Sequence, residues 1–142
     1  DAGASVIPPG SRMADAVAFG RRLGKNADSP CAAYRQLEQA YGHLHWVHVL
    51  NNAALVCYAL TASRGDFDTA IGLVVAGGWD TDSNGATVGA ITGALAGQDG
   101  IDRRWSDPLR GRISSSLPGF DGVGFDELVA RTLSVAREIT GA

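Results

Sequence analysis

Gly85, Gly89, Gly93 and Gly97 recur every four residues along "NGATVGAITGALAG", an interval that places them on one face of a helix. Glycine inside a helix costs about 0.5–1 kcal/mol relative to alanine, so a stripe of it calls for compensation. Close approach of a neighbouring helix to a face without side chains is one source, and contact with a ligand is another. In membranes the same spacing drives helix pairing, but this stretch is too short to span a bilayer. The expectation is tight packing within a helical bundle.

The rest of the chain has helical periodicity. Ser11 is placed to cap a helix through "RMADAVAFGRRL", with Gly24 as its stop. Ser29 followed by Pro30 opens a second helix that runs to Gly42. The long apolar segment "HWVHVLNNAALVCYALTAS" repeats Val47, Leu50, Ala54 and Cys57 at helical spacing and predicts a central, mostly buried helix. After Gly65 and Asp66, the residues Phe67, Ala70, Ile71, Val74 and Val75 mark another apolar face, closed by Gly77 and Gly78. The glycine helix is expected from near Ser83. Residues 98–124 are mixed, with a short helix expected over Pro108–Ser114. The last helix, "FDELVARTLSVAREI", gathers Phe125, Leu128, Val129, Leu133 and Ala136 on one side. The first ten residues, broken by Pro8, Pro9 and Gly10, read as loop. No period-2 strand stands out. The fold class expected is all-α, a compact helical bundle in one unit over residues 1–142.

Composition narrows the function. Hydrophobic residues make up 45% and charged residues 19% of 142, enough apolar content for a core. The net charge of -3 leaves no basic excess for a nucleic-acid backbone, and Arg103–Arg104 sits beside Asp102 and Asp107 in what reads as a solvated loop. No apolar run is long enough to span a membrane. Cys31 and Cys57 lie in helical stretches with apolar neighbours and read as buried free thiols, which points to the reducing cytoplasm. The opening "DAGASVIPPGSR" reads as the interior of a longer protein or as a processed chain.

Ahead of the glycine helix lies "GWDTDSNG", residues 78–85. Asp80, Asp82, Asn84 and Gly85 fit the opening of a calcium-binding EF-hand loop, but Val88 and Ile91 stand where later ligands belong, and the helical pattern begins too early. Helix capping by Asp82 or Ser83 accounts for one oxygen side chain and leaves the others unexplained. A divalent metal accounts for more of them. Hard cations such as Mg²⁺ or Mn²⁺ take oxygen ligands, and two aspartates two residues apart on a turn can aim at one point. With the Ser83 hydroxyl they still fall short of octahedral coordination, so waters and a second segment must complete it.

"GWDTDSNGATVGAITGALAG" resembles the C-terminal signature of the ADP-ribosylglycohydrolase family, whose usual form is Gly-Gly-Asp-Thr-Asp-Thr followed by a small-residue helix. The upstream "HVLNNAALVCYALTASRGDFDTAI" and the downstream "WSDPL" and "ELVARTLSVA" are similar to the segments that flank it, so the resemblance covers most of residues 43–139. It implies an all-α fold and a site holding two Mg²⁺ or Mn²⁺ ions, with Asp80, Asp82 and Ser83 as ligands. Serine stands where threonine is usual and keeps the hydroxyl. Trp79 stands where glycine is usual. The family's other ligands, a Thr-Asp-Asp cluster in an N-terminal half, have no match here, so the chain looks like a C-terminal half whose site is completed by an N-terminal half or a second chain.

The activity implied is hydrolysis of the glycosidic bond to an ADP-ribosylated substrate, with Asp80 and Asp82 at the catalytic centre. His48 and Asn52, one helical turn apart, are candidates for substrate contact, as are Trp79 and Asn84 beside the aspartates. The spacing His43-x-His45-x-x-His48 suggests zinc, but a partly exposed cluster at a helix start explains it with fewer assumptions. Trp105 reads as a packing anchor in a loop rather than a stacking platform for adenine. The competing functions are a non-catalytic relative of the same fold and an unrelated helical module. Retention of both aspartates favours the hydrolase.

Overall fold

The structure, a computed structural model, describes residues 2–141. Its elements run α1 Ala2–Ser5, α2 Arg12–Asn26, α3 Pro30–Tyr41, α4 Val49–Ser63, α5 Phe67–Ala76, α6 Thr81–Ala96, α7 Arg103–Ser106, β1 Arg112–Ile113, β2 Val123–Gly124 and α8 Phe125–Thr140. The fold is all-α apart from one two-stranded ladder. The chain divides into two compact units, Asp1–Gly100 and Ile101–Ala142. Among the described residues no helix is long and apolar enough to cross a membrane.

Local chemistry sets the helix starts. Ser11 Oγ accepts from the Ala14 N–H and Ser29 Oγ from that of Ala32, with Pro30 opening α3. Asp66 Oδ1 accepts from Thr69 N at 2.8 Å to start α5, and a side-chain hydrogen bond with Thr69, followed by this backbone bond, holds the Asp66 carboxyl below the usual carboxylate range. In the first unit α4 is the central helix. Its Leu50, Ala54, Leu55, Tyr58 and Ala59 are buried against Ala16 and Leu23 of α2, Leu37 of α3, Val74 of α5 and Val88 of α6.

Gly24 does not end α2, which continues to Asn26. The glycine serves packing. A Cβ at Gly24 would stand 2.5 Å from Thr61 Cβ, and one at Gly20 would stand 2.9 Å from Cys57 Cβ and overlap the Ala54 carbonyl oxygen. The closest helix approach therefore lies between α2 and α4. The stripe on α6 meets α5 more loosely. A Cβ at Gly85 would find Val75 Cγ2 at 3.6 Å, and one at Gly89 would find Ile71 Cδ1 at 3.3 Å. Gly97 lies beyond the stripe's packed part and terminates α6 with φ +67°. Gly85→Ala is accordingly expected to stabilise the protein by about 0.5–1 kcal/mol, read as a higher denaturant midpoint at unchanged slope. A lower midpoint would mean that the α5–α6 approach needs the glycine.

Tyr34 ties α3 to α5. Its hydroxyl donates to the Leu73 carbonyl at 2.9 Å, and its ring meets Tyr58 edge-on with centroids 5.8 Å apart. Desolvation, aided by Tyr58 and Cys31, pushes its pKa up to about 12. The folded state thus holds this proton more tightly than the unfolded chain, where tyrosine titrates near ~10. The resulting stability is complete below pH ~10 and is lost as pH rises through the native value. Tyr34→Phe is expected to cost about 1 kcal/mol at neutral pH and to flatten the alkaline fall in stability, measured by denaturant titration at several pH values.

Several expectations for local structure are corrected. Ala2–Ser5 is a helical turn rather than loop. The central helix begins at Val49, not within the histidine segment, because residues 43–48 form turns in which side-chain acceptors compete with helical bonding. The glycine helix begins at Thr81, two residues ahead of Ser83. Cys31 is exposed, since it sits in the first turn of α3 where the chain enters from solvent, while Cys57 is partly buried and desolvation raises its thiol pKa.

In the second unit the expected helix over Pro108–Ser114 is replaced by α7, a 3-10 turn at Asp107–Leu109 and strand β1. Pro108 suits the tight turn, and Gly111, with φ +66°, breaks any helix there. β1 pairs antiparallel with β2, Arg112 opposite Gly124 and Ile113 opposite Val123. Arg103 and Arg104 lie on α7, where Arg103 Nε meets Asp107 Oδ1 at 3.4 Å. Trp105 is also in this helix rather than in a loop and is 39% exposed. α8 has the expected apolar side, yet none of its residues is buried.

Candidate metal centre

The acidic turn is shaped by its backbone. Gly78 and Trp79 both have positive φ, +79° and +57°. This is a left-handed pair that glycine adopts freely and tryptophan does not, which gives a physical reason for glycine to be usual at the second position. The Trp79 side chain packs against the core of the first unit. Asp80 then sits at φ -86°, ψ 70°, and the Thr81 N–H donates to the Trp79 carbonyl at 3.0 Å. This is an inverse γ-turn centred on Asp80.

The turn leaves its carboxylates available. Asp80 occupies the N-cap position of α6 but makes no side-chain capping bond. Asp82, exposed in the first helical turn, accepts from the Ser83 N–H at 2.9 Å. That bond, followed by a side-chain hydrogen bond with Asp80, holds the Asp82 carboxyl below its ordinary range. Both carboxylates stand at a helix N-terminus, whose dipole favours negative charge. Ser83 is the next residue and is exposed.

The oxygens of Asp80, Asp82 and Ser83 suit a hard divalent cation in kind. In number they make one side of a site: among the described residues no group of three or more His, Cys, Asp or Glu side chains is placed to hold a metal. An EF-hand is ruled out by α6, which is helical from Thr81 onward, where such a loop would still be wrapping its ion. Zinc on the histidines fares no better. His45 Nδ1 accepts from Val47 N at 3.4 Å and His48 Nδ1 from Leu50 N at 3.2 Å, so each ring is engaged by its own turn. His48 is the N-cap of α4, and the two rings do not share a helical face.

Asn52 and Asn84 lie closest to the turn. With Asp80 and Thr87 they form the polar side of an open depression of about 410 Å³, whose other side includes Val47, Val49 and Val56. Their amides are engaged with each other: Asn84 Nδ2 donates to Asn52 Oδ1 at 2.6 Å. The neighbouring Asn51, fully buried, donates from Nδ2 to the His45 carbonyl at 3.3 Å, while its Oδ1 has no partner. Asn51 was not among the candidates from sequence. The adjacent pair Asn51–Asn52 inside an otherwise apolar run was the signal that could have marked it, because buried amides persist where they hold backbone.

The family model of the ADP-ribosylglycohydrolases matches residues 1–138, reaching well upstream of the acidic turn. Searches of curated proteins and of solved structures gave no match. A match of that extent covers both units and the turn between α5 and α6, and the chain belongs to the ADP-ribosylglycohydrolase family.

Proposed function

We propose that this chain contributes Asp80, Asp82 and Ser83 to a two-metal site, holding Mg²⁺ or Mn²⁺, that hydrolyses the glycosidic bond between ADP-ribose and its acceptor. The observation that carries this reading is a turn that sets Asp80 and Asp82 two residues apart at the start of α6, with the Asp80 side chain not spent on capping. Like charges brought together in this way repel unless a cation or proton lies between them, and family membership supports a hydrolase. The metal, when bound, would orient ribose hydroxyls and activate water.

The chain's own residues act by placement. The Ser83 N–H stabilises the Asp82 charge and holds its carboxyl below the ordinary range, which suits a ligand better than a general acid. Asp80 aims its carboxylate from the γ-turn, and the hydroxyl of Ser83 adds a third oxygen. The remaining ligands come from a segment bearing a Thr-Asp-Asp cluster, in an N-terminal half or a second chain. Asn52 and Asn84 stand on the wall of the depression beside Asp80, Trp79 is part of the turn, and His48 caps α4 outside that wall.

The test is metal dependence of the complete protein. Treatment with EDTA is expected to stop release of ADP-ribose from an ADP-ribosylated substrate, and Mn²⁺ or Mg²⁺ is expected to restore it. Turnover that survives exhaustive chelation would sink the metal-dependent reading.

A further inference from the structure

We infer that Asn52 is the positioning residue of the acidic turn, a role that rests on the reading of Asp80, Asp82 and Ser83 as metal ligands. Asn52 is 9% exposed, and its amide uses every hydrogen-bonding direction it has. Oδ1 accepts from Asn84 Nδ2 at 2.6 Å and from the Asp80 N–H at 3.3 Å. Nδ2 donates to the Trp46 carbonyl at 2.8 Å and to the His48 carbonyl at 2.9 Å. Two carbonyls on one side require the NH₂ there, and two N–H donors on the other require the oxygen. Only an amide, in this one orientation, satisfies all four.

The bond to Asp80 matters because it anchors the N–H of that residue to a different helix, α4. The two preceding residues are left-handed, and Asp80 itself lies outside the helical and extended wells. The Asp80 side chain does not cap α6; its carbonyl accepts the first helical bond, from the Asn84 N–H at 2.9 Å, and its own N–H is held by Asn52 from α4. Through Asn84, which is 4% exposed, the same oxygen also fixes the first turn of α6, the turn that carries Asp82 and Ser83. One side chain thus sets the aim of both carboxylates without touching the metal. Groups that orient ligands in this way typically change metal affinity about 10–100-fold when removed.

The experiment compares Asn52→Ala with Tyr34→Phe in the complete protein. Tyr34→Phe removes one tertiary hydrogen bond far along the chain from the turn and serves as the control for lost stability. Two quantities are read: amide hydrogen exchange at Asp80, without metal, and affinity for Mn²⁺ alone by calorimetry. Asn52→Ala is expected to speed exchange at Asp80 at least ~10-fold and to weaken Mn²⁺ binding at least ~10-fold, with Tyr34→Phe unchanged in both. Unchanged exchange and affinity in Asn52→Ala, or an equal loss in Tyr34→Phe, would overturn the inference. If Asn52→Ala does not fold, Asn52→Leu, which keeps the side-chain volume and deletes the acceptor of the Asp80 N–H, carries the same comparison. A wild-type protein that takes up no Mn²⁺ overturns the ligand assignment, while exchange at Asp80 still decides the Asn52 tie.

Discussion

Asp82→Ala is expected to lower metal-dependent release of ADP-ribose by at least ~100-fold while leaving the fold intact. The size follows from its proposed place as a direct ligand, since even groups one step removed from a metal cost about 10–100-fold. Stability should change little. The side chain is exposed and bonds only to the neighbouring Ser83 N–H and to Asp80, and its removal relieves the crowding of two carboxylates. Asp80→Ala should behave similarly, because Asp80 makes no capping bond whose loss would unwind α6. Ser83→Thr is the informative companion: it keeps the hydroxyl and should keep turnover. Activity of Asp82→Ala within a few-fold of wild type, at saturating Mn²⁺, would remove Asp82 from the site. A variant that loses activity only because it has unfolded is recognised by circular dichroism, and the exposure of Asp82 argues against that outcome.

The alternative of a non-catalytic relative makes the opposite forecast for the same variants. If the turn were retained only to begin α6, Asp82→Ala would lose a favourable charge at the helix N-terminus and nothing else. A structural turn also has no need of a second carboxylate, at Asp80, that makes no capping bond. The comparison of turnover with stability in one pair of variants therefore separates the two functions.

Much of the first unit was legible in the sequence for identifiable reasons. Ser11 and Ser29 announce helix starts because a short oxygen side chain there meets a free backbone N–H, and Asp66, read only as a break beside Gly65, does the same for α5. Phe67, Ala70, Ile71 and Val74 announce α5 because burial follows the helical period. The acidic turn was legible through its density of oxygen side chains. The role of Asn52 was not, because its four bonds run to backbone groups and to a residue 32 positions away, and no local pattern encodes such a contact. The histidine segment misled for a related reason: its periodicity is helical, but His45 and His48 fold back on the N–H groups two residues ahead and stop the helix short. The strands β1 and β2 are two residues each, too short to show any alternation.

Gly20→Ala is expected to destabilise the protein by about 3 kcal/mol, the upper part of the range for overpacked cores, although alanine is the better helix former. Spacing alone gives no basis for this asymmetry with Gly85. Gly20–Gly24 and Gly85–Gly89 share the same interval, and the longer stripe is the more conspicuous. What separates them is the partner. At Gly20 the added methyl meets a backbone carbonyl, that of Ala54 in the middle of the buried helix α4, and a backbone atom held by helical hydrogen bonds cannot turn aside. At Gly89 the nearest atom is the tip of Ile71, which can change rotamer, and at Gly85 it is a methyl of Val75 at ordinary contact distance. Relief at Gly20 requires α2 to move away from α4, opening contacts along both helices and exposing Ala16 and Leu23. Urea unfolding of Gly20→Ala and Gly85→Ala side by side should give midpoints shifted in opposite directions. A Gly20→Ala midpoint at or above wild type would show that α2 can withdraw without loss, and that glycine at this position is not what lets the two helices meet.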